Sequence, residues 1–110
     1  MNRTGTHYTL DAELYENIPV NICDIVADAI KNSNMTIMRY LSQHFYPHGV
    51  TAVWILAESH ATLHTYPESN YISVDVYTCG DKGDPYAVIQ YLEKMLNIKS
   101  SIVNNINRGF

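Results

Sequence analysis

Between two apolar runs, Val50 to Ala57 and Ala61 to Tyr66, the chain inserts the polar triplet Glu58-Ser59-His60. His64 follows Ser59 by five residues and Cys79 follows His64 by fifteen. These side-chain types can move protons: an imidazole with a pKa of about 6.5 takes one near neutrality, and a thiol at about 8.5 still holds one to give. Singly, each has an ordinary reading. Glu58-Ser59 is a polar pair at a strand end, His64 a hydrogen-bonded structural histidine, Cys79 a small buried hydrophobe and Glu68 a solvated turn residue. Five residues of continuous strand would point Ser59 and His64 to opposite faces, so joint work requires a turn at Ser59 that brings them together. His44/His48 and His60/His64 have the spacing of metal ligands on a helix. Both pairs lie in strand or turn sequence without a companion acidic motif, and no metal site is assigned.

The surrounding pattern supplies the elements that hold these residues. From His7 to Tyr15, Tyr8, Leu10, Ala12 and Leu14 alternate with His7, Thr9, Asp11 and Glu13, as in a half-buried strand. Asn21 is placed to cap a helix with Ile22, Val26, Ala29 and Ile30 on its buried face, ending in the polar run Lys31 to Asn34. Met35 to Tyr46 is rich in β-favouring residues and closes at Pro47-His48-Gly49, a hairpin turn. Val50 to Ala57 reads as a strand covered on both faces, and Ala61 to Tyr66 as its neighbour. After the turn Pro67 to Asn70, Ile72, Val74 and Val76 alternate into a strand ending near Cys79-Gly80. Asp84-Pro85 opens a second helix with a stripe of Val88, Leu92, Met95 and Leu96, and a last strand covers Ser101 to Ile106. The order β-α-β-β-β-β-α-β with short connections predicts an α+β fold. It is a two-layer α/β sandwich, a mainly antiparallel sheet with both helices on one face.

With 110 residues, 46% of them hydrophobic, the chain fills one core, so residues 1–110 form a single domain. Seven basic against eleven acidic side chains leave a net charge of −4, which provides no footprint for nucleic acid or an anionic membrane. No stretch approaches the roughly 20 apolar residues of a membrane span, and Met1 to Thr9 lacks the apolar core of a signal peptide, so a cytoplasmic protein is expected. Two distant cysteines, Cys23 and Cys79, form no CxxC pattern. No Gly-rich phosphate loop occurs, which removes nucleoside-triphosphate and dinucleotide chemistry.

Three segments occur in order: Glu58-Ser59-His60, then His64-Thr65-Tyr66-Pro67-Glu68, then Asp75-Val76-Tyr77-Thr78-Cys79-Gly80. In types and spacing they resemble the small prokaryotic S-adenosylmethionine decarboxylase family, whose members are made as proenzymes. Gly5-Thr6-His7, Phe45-Tyr46-Pro47, Gly49-Val50 and Asp84-Pro85 extend the resemblance over nearly the whole chain.

A decarboxylase needs an electron sink that no ordinary side chain provides, and a ketone conjugated to an amide is one. The resemblance implies that Ser59 attacks the Glu58 carbonyl, that elimination cuts the chain into a β chain 1–58 and an α chain 59–110, and that Ser59 becomes a pyruvoyl group. His64 matches the family's processing base and Thr51 the position of a supporting serine. The substrate amine would join the pyruvoyl ketone as a Schiff base, with Cys79 matching the proton donor. Glu68 matches the residue that grips the ribose hydroxyls, and Phe45 and Tyr66 match the aromatics that stack on adenine. The implied substrate is S-adenosylmethionine, the implied product serves spermidine synthesis, and the implied assembly is a homodimer whose sites draw on both subunits.

Two departures from the family pattern bear on this. Tyr66 stands where tryptophan is more usual, and Thr51 where serine is, its β-branch restricting the hydroxyl. Two further readings stay open at this point: a pyruvoyl enzyme of the same fold acting on arginine or ornithine, and an uncleaved, non-catalytic relative that binds a nucleoside.

Overall fold

The structure, a computed structural model, describes residues 4–79 and 83–109. Strand β1 (Gly5–Leu14) is followed by α1 (Ile22–Lys31), β2 (Ile37–His44), β3 (Val50–Leu56), β4 (Ser59–Tyr66), β5 (Tyr71–Cys79), α2 (Pro85–Met95) and β6 (Ile98–Arg108). A single 3-10 turn, Pro67–Ser69, separates β4 from β5. The six strands form one sheet in the order β2-β3-β4-β5-β1-β6, and every pairing is antiparallel. Both helices pack on one side of it, so the expected two-layer sandwich and its order of elements hold. No helix among the described residues is long and apolar enough to cross a membrane.

Strand alternation decides what lies between the layers. Leu10, Ala12 and Leu14 of β1, Ala52, Trp54 and Leu56 of β3, Ala61 and Leu63 of β4, and Ile72, Val74 and Val76 of β5 are buried under the helices. From the helices, Ile22, Val26, Ala29 and Ile30 of α1 meet Val88, Ile89 and Leu92 of α2 in the same core. Full burial of such a side chain stabilises by roughly 1.5–3 kcal/mol, more than a typical cap, so packing rather than capping holds the helices down. The caps bear this out. Asp84 accepts from the Ala87 amide at 3.1 Å, whereas Asn21 occupies the first cap without a side-chain hydrogen bond to the helix. Met95, expected in the buried stripe of α2, is 55% exposed, because α2 turns Ile89 inward and ends at Met95.

Two strands extend further than expected. The last runs from Ile98 to Arg108, and β4 begins at Ser59 rather than Ala61, so Ser59 and His60 belong to the ladder. Gly80, placed at the end of the fifth strand by the sequence, lies outside the described residues.

The other side of the sheet carries no helix. It presents Thr51, Val53 and Ile55 of β3, His60, Thr62, His64 and Tyr66 of β4, and the odd-numbered residues of β1 and β5. Val50–Ala57 is therefore covered on one face only within the chain, and Ile55 is 53% exposed. Exposed Leu41 and Ile102 lie toward the two edges of this face, with polar groups between them. Asp11 accepts from Tyr71 Oη at 2.7 Å and Ser73 Oγ at 2.9 Å, and Asp75 accepts from Thr62 and meets His7 Nε2 at 2.9 Å.

Candidate active site

Leu56 and Ser59 are the last paired residues of the β3-β4 hairpin, which leaves Ala57 and Glu58 as a two-residue turn. Glu58 closes that turn with φ of 66°, the left-handed region that costs a residue with a Cβ about 1 kcal/mol or more. Its carbonyl oxygen accepts the Cys79 amide at 3.2 Å. Hydroxyl attack at that carbon would put negative charge on this oxygen, and the amide is already aimed at it. Ser59 itself pairs with Thr78 and shares the helix-facing side of the sheet, half-buried. Cys79, one residue on, is half-buried and takes the opposite, open side.

Next to Cys79 on that side lies Tyr77. The Cys79 side chain beside its hydroxyl, assisted by partial burial, raises the phenol above its usual pKa while the Arg108 charge opposes the rise. The ring is bounded by His60 at 5.6 Å, His7 at 5.7 Å and the Arg108 guanidinium at 5.4 Å.

A second cluster sits toward the other end of β4. Thr51 and His64 are direct partners across β3 and β4, and Thr51 Oγ1 lies 3.0 Å from His64 Nδ1. They line a cavity of about 350 Å³ together with Phe45, Tyr66 and Glu68. Five of the residues singled out in the sequence thus meet in one cavity. The β2-β3 turn shapes it. Gly49 adopts φ of 104° and a Cβ there would come within 3.3 Å of the Thr65 carbonyl, while buried Thr65 Oγ1 accepts the Val50 amide at 2.9 Å. Tyr66 is steadied by stacking on Tyr71, with centroids 5.2 Å apart.

His48 is a wall residue that sequence reasoning missed: its Nε2 lies 2.6 Å from Glu68 Oε2. The only signal for it was the His44/His48 spacing, weighed there for a metal. Among the described residues, no group of three or more His, Cys, Asp or Glu side chains is placed to hold a metal ion.

The turn at Ser59 does not bring Ser59 and His64 together. Because β4 is continuous from Ser59, the two lie about 16 Å apart along the strand and on opposite faces. One chain therefore holds two separate clusters of the residues singled out: Glu58, Ser59 and Cys79 at one end, and Thr51, His64, Phe45, Tyr66 and Glu68 at the other.

A family model described as S-adenosylmethionine decarboxylase matches residues 7–109. The chain belongs to the S-adenosylmethionine decarboxylase family. A proenzyme of that name from Pyrococcus furiosus is 37% identical over 114 residues, covering 99% of this chain and 81% of the relative. The namesake from Clostridium tetani is 35% identical, covering 99% of this chain and 90% of its own. The crystal structure of the adenosylmethionine decarboxylase from Aquifex aeolicus superposes with a TM-score of 0.84 at 32% identity, over 100% of this chain and 94% of that one. Decarboxylases of this family draw on a pyruvoyl group made from serine by self-cleavage. The present residues fit its formation: Ser59 follows a strained Glu58 whose carbonyl oxygen is held by an amide.

Proposed function

We propose that this chain cuts its own Glu58-Ser59 bond and then decarboxylates S-adenosylmethionine, with residue 59 supplying the pyruvoyl group. The observation that carries the reading is the Cys79 amide on the Glu58 carbonyl, at a non-glycine residue of positive φ. Ser59 Oγ adds to the Glu58 carbon, the carbon-nitrogen bond breaks and an ester replaces the amide. A base then removes the Ser59 Cα proton, the Cβ-oxygen bond breaks, and Glu58 leaves as a carboxylate ending chain 1–58. Water completes the conversion of residue 59 and ammonia departs.

His64 is the base in this reading, its ring held by Thr51, and it acts on the neighbouring copy. Two copies packed through their helix-free faces about a two-fold axis, with strand direction reversed between layers, bring the Glu58-Ser59 end of one β4 over the His64 end of the other. The distance between the two clusters within one chain supports this dimer. So does Val50–Ala57, apolar on both faces with only one covered by its own helices.

Once formed, the pyruvoyl ketone takes up the electrons left when carbon dioxide departs. Around it the chain's own groups bind and deliver a proton. Phe45 and Tyr66 offer faces to the adenine and the sulfonium, and Glu68 accepts from the ribose hydroxyls. Cys79 gives a proton to the substrate carbon. Glu68 in the wall of the cavity favours a nucleoside over free arginine or ornithine, which carry no ribose. The product serves spermidine synthesis.

Intact mass measurement tests the cleavage. Two fragments, 1–58 and 59–110, the second blocked at its N-terminus, are expected; a single chain of unmodified mass overturns the reading. Product analysis tests the substrate, and release of carbon dioxide from arginine or ornithine but not from S-adenosylmethionine overturns that part.

A further inference from the structure

The ring of Tyr77 lies in a gap left by Gly5. Gly5 and Cys79 are direct partners across β1 and β5, so a side chain at position 5 would stand about 5 Å from the Cys79 Cβ. None fits: a Cβ on Gly5 would come within 2.4 Å of Tyr77 Oη and 2.6 Å of two ring carbons. Tyr77 and Cys79, two apart on one strand, share a face, and folding the ring over Gly5 sets the hydroxyl beside the thiol. His7 on β1, His60 on β4 and Arg108 on β6 bound the ring, and Asp75 on the same strand engages His7. The ring is thus bounded from three neighbouring strands.

We propose that Tyr77 is a positioning residue for Cys79, and that Gly5 is the gap that lets it reach. The proposal rests on the reading of Cys79 as proton donor. As the S–H bond breaks and a C–H bond forms on the substrate, negative charge is left on sulfur, and the Tyr77 hydroxyl donates to it; solvent then restores the thiol proton. A hydroxyl aimed at charge that develops in the reaction accelerates it without altering substrate affinity.

Tyr77→Phe keeps the ring and removes the hydroxyl; Gly5→Ala keeps the hydroxyl and displaces the ring. In the cleaved enzyme each is expected to lower kcat about threefold to tenfold with KM unchanged. An independent readout uses the uncleaved Ser59→Ala chain, with iodoacetamide as probe and peptide mass separating Cys79 from Cys23. There each variant shifts the pH profile of Cys79 alkylation upward by about half a unit or more, since an altered exposure alone would change the rate but not the profile. Combined, Gly5→Ala and Tyr77→Phe are expected to do no more than either alone, because both remove one contact. An unchanged alkylation profile in Tyr77→Phe, or additive effects in the double variant, overturns the proposal. Full decarboxylation by Cys79→Ala overturns instead the donor reading beneath it, which the alkylation profiles do not touch.

Discussion

Thr51 and His64 face each other across β3 and β4, with the threonine hydroxyl 3.0 Å from the imidazole Nδ1. That contact orients the ring and turns Nε2 away from Thr51. Thr51→Val keeps the shape and deletes the partner, and the rate of chain cleavage is expected to fall about tenfold, while Thr51→Ser retains it. Following the intact chain by mass against time after refolding checks both. Cleavage by Thr51→Val at the parent rate would show that the hydroxyl does not hold the base.

The two clusters on one chain predict complementation between inactive variants. On the proposed function Ser59→Ala lacks the attacking hydroxyl and His64→Ala lacks the base, so neither should yield the blocked 59–110 fragment alone. Co-expressed, they form mixed dimers with one complete site, and roughly half of the His64→Ala chains should then be processed, as expected for random pairing about a two-fold axis. Tagging the two chains differently and weighing each reads this directly. No processing in the mixture would place His64 and Ser59 of the same chain in one site.

Strain at Glu58 is the third point. Its φ of 66° is comfortable for glycine and costly for glutamate. Glu58→Gly removes that strain from the uncut chain, so cleavage should slow by about fivefold, the equivalent of roughly 1 kcal/mol, and the uncut protein should gain stability by a similar amount. Cleavage time courses and urea midpoints of the Ser59→Ala background measure the two. Faster cleavage by the glycine variant would contradict the strain argument.

Glu68 and Cys79 should separate binding from proton delivery. Glu68→Gln, in the cavity with Phe45 and Tyr66, is expected to raise KM for S-adenosylmethionine about tenfold with little change in cleavage. Cys79→Ala keeps the amide that serves the Glu58 carbonyl, so cleavage should proceed, while kcat falls about a hundredfold. Steady-state kinetics on fully processed protein distinguish the two. Loss of cleavage in Glu68→Gln would mean that the carboxylate shapes the processing centre as well.

Much of this was legible along the chain because it depends on near neighbours. Alternation in β1 and β5, the helical spacing of Ile22, Val26, Ala29 and Ile30, and the Asp84-Pro85 start of α2 all reappear in the fold. Met95 was misplaced because its exposure depends on where α2 stops and how it lies on the sheet. His48 and His60 passed without a role because their partners, Glu68 and Asp75, are set by a turn or by pairing across strands, and Tyr77 because its ring lies over Gly5 of the neighbouring strand. Asn21 shows the converse: residue type marked the helix start, but local backbone geometry left its side chain without the bond.

By itself the sequence determined the family and the two-layer architecture and marked the candidate residues for the chemistry, since these follow from types and spacings a linear pattern preserves. Only the tertiary structure decided how those residues are divided. A continuous β4 sends Ser59 and His64 to opposite faces and keeps them about 16 Å apart, while strand pairing delivers the Cys79 amide to Glu58 and the Tyr77 hydroxyl to the gap at Gly5. The reason is geometric: strand register converts small differences in position into which face and which end of the sheet a side chain occupies, and residue type does not encode register.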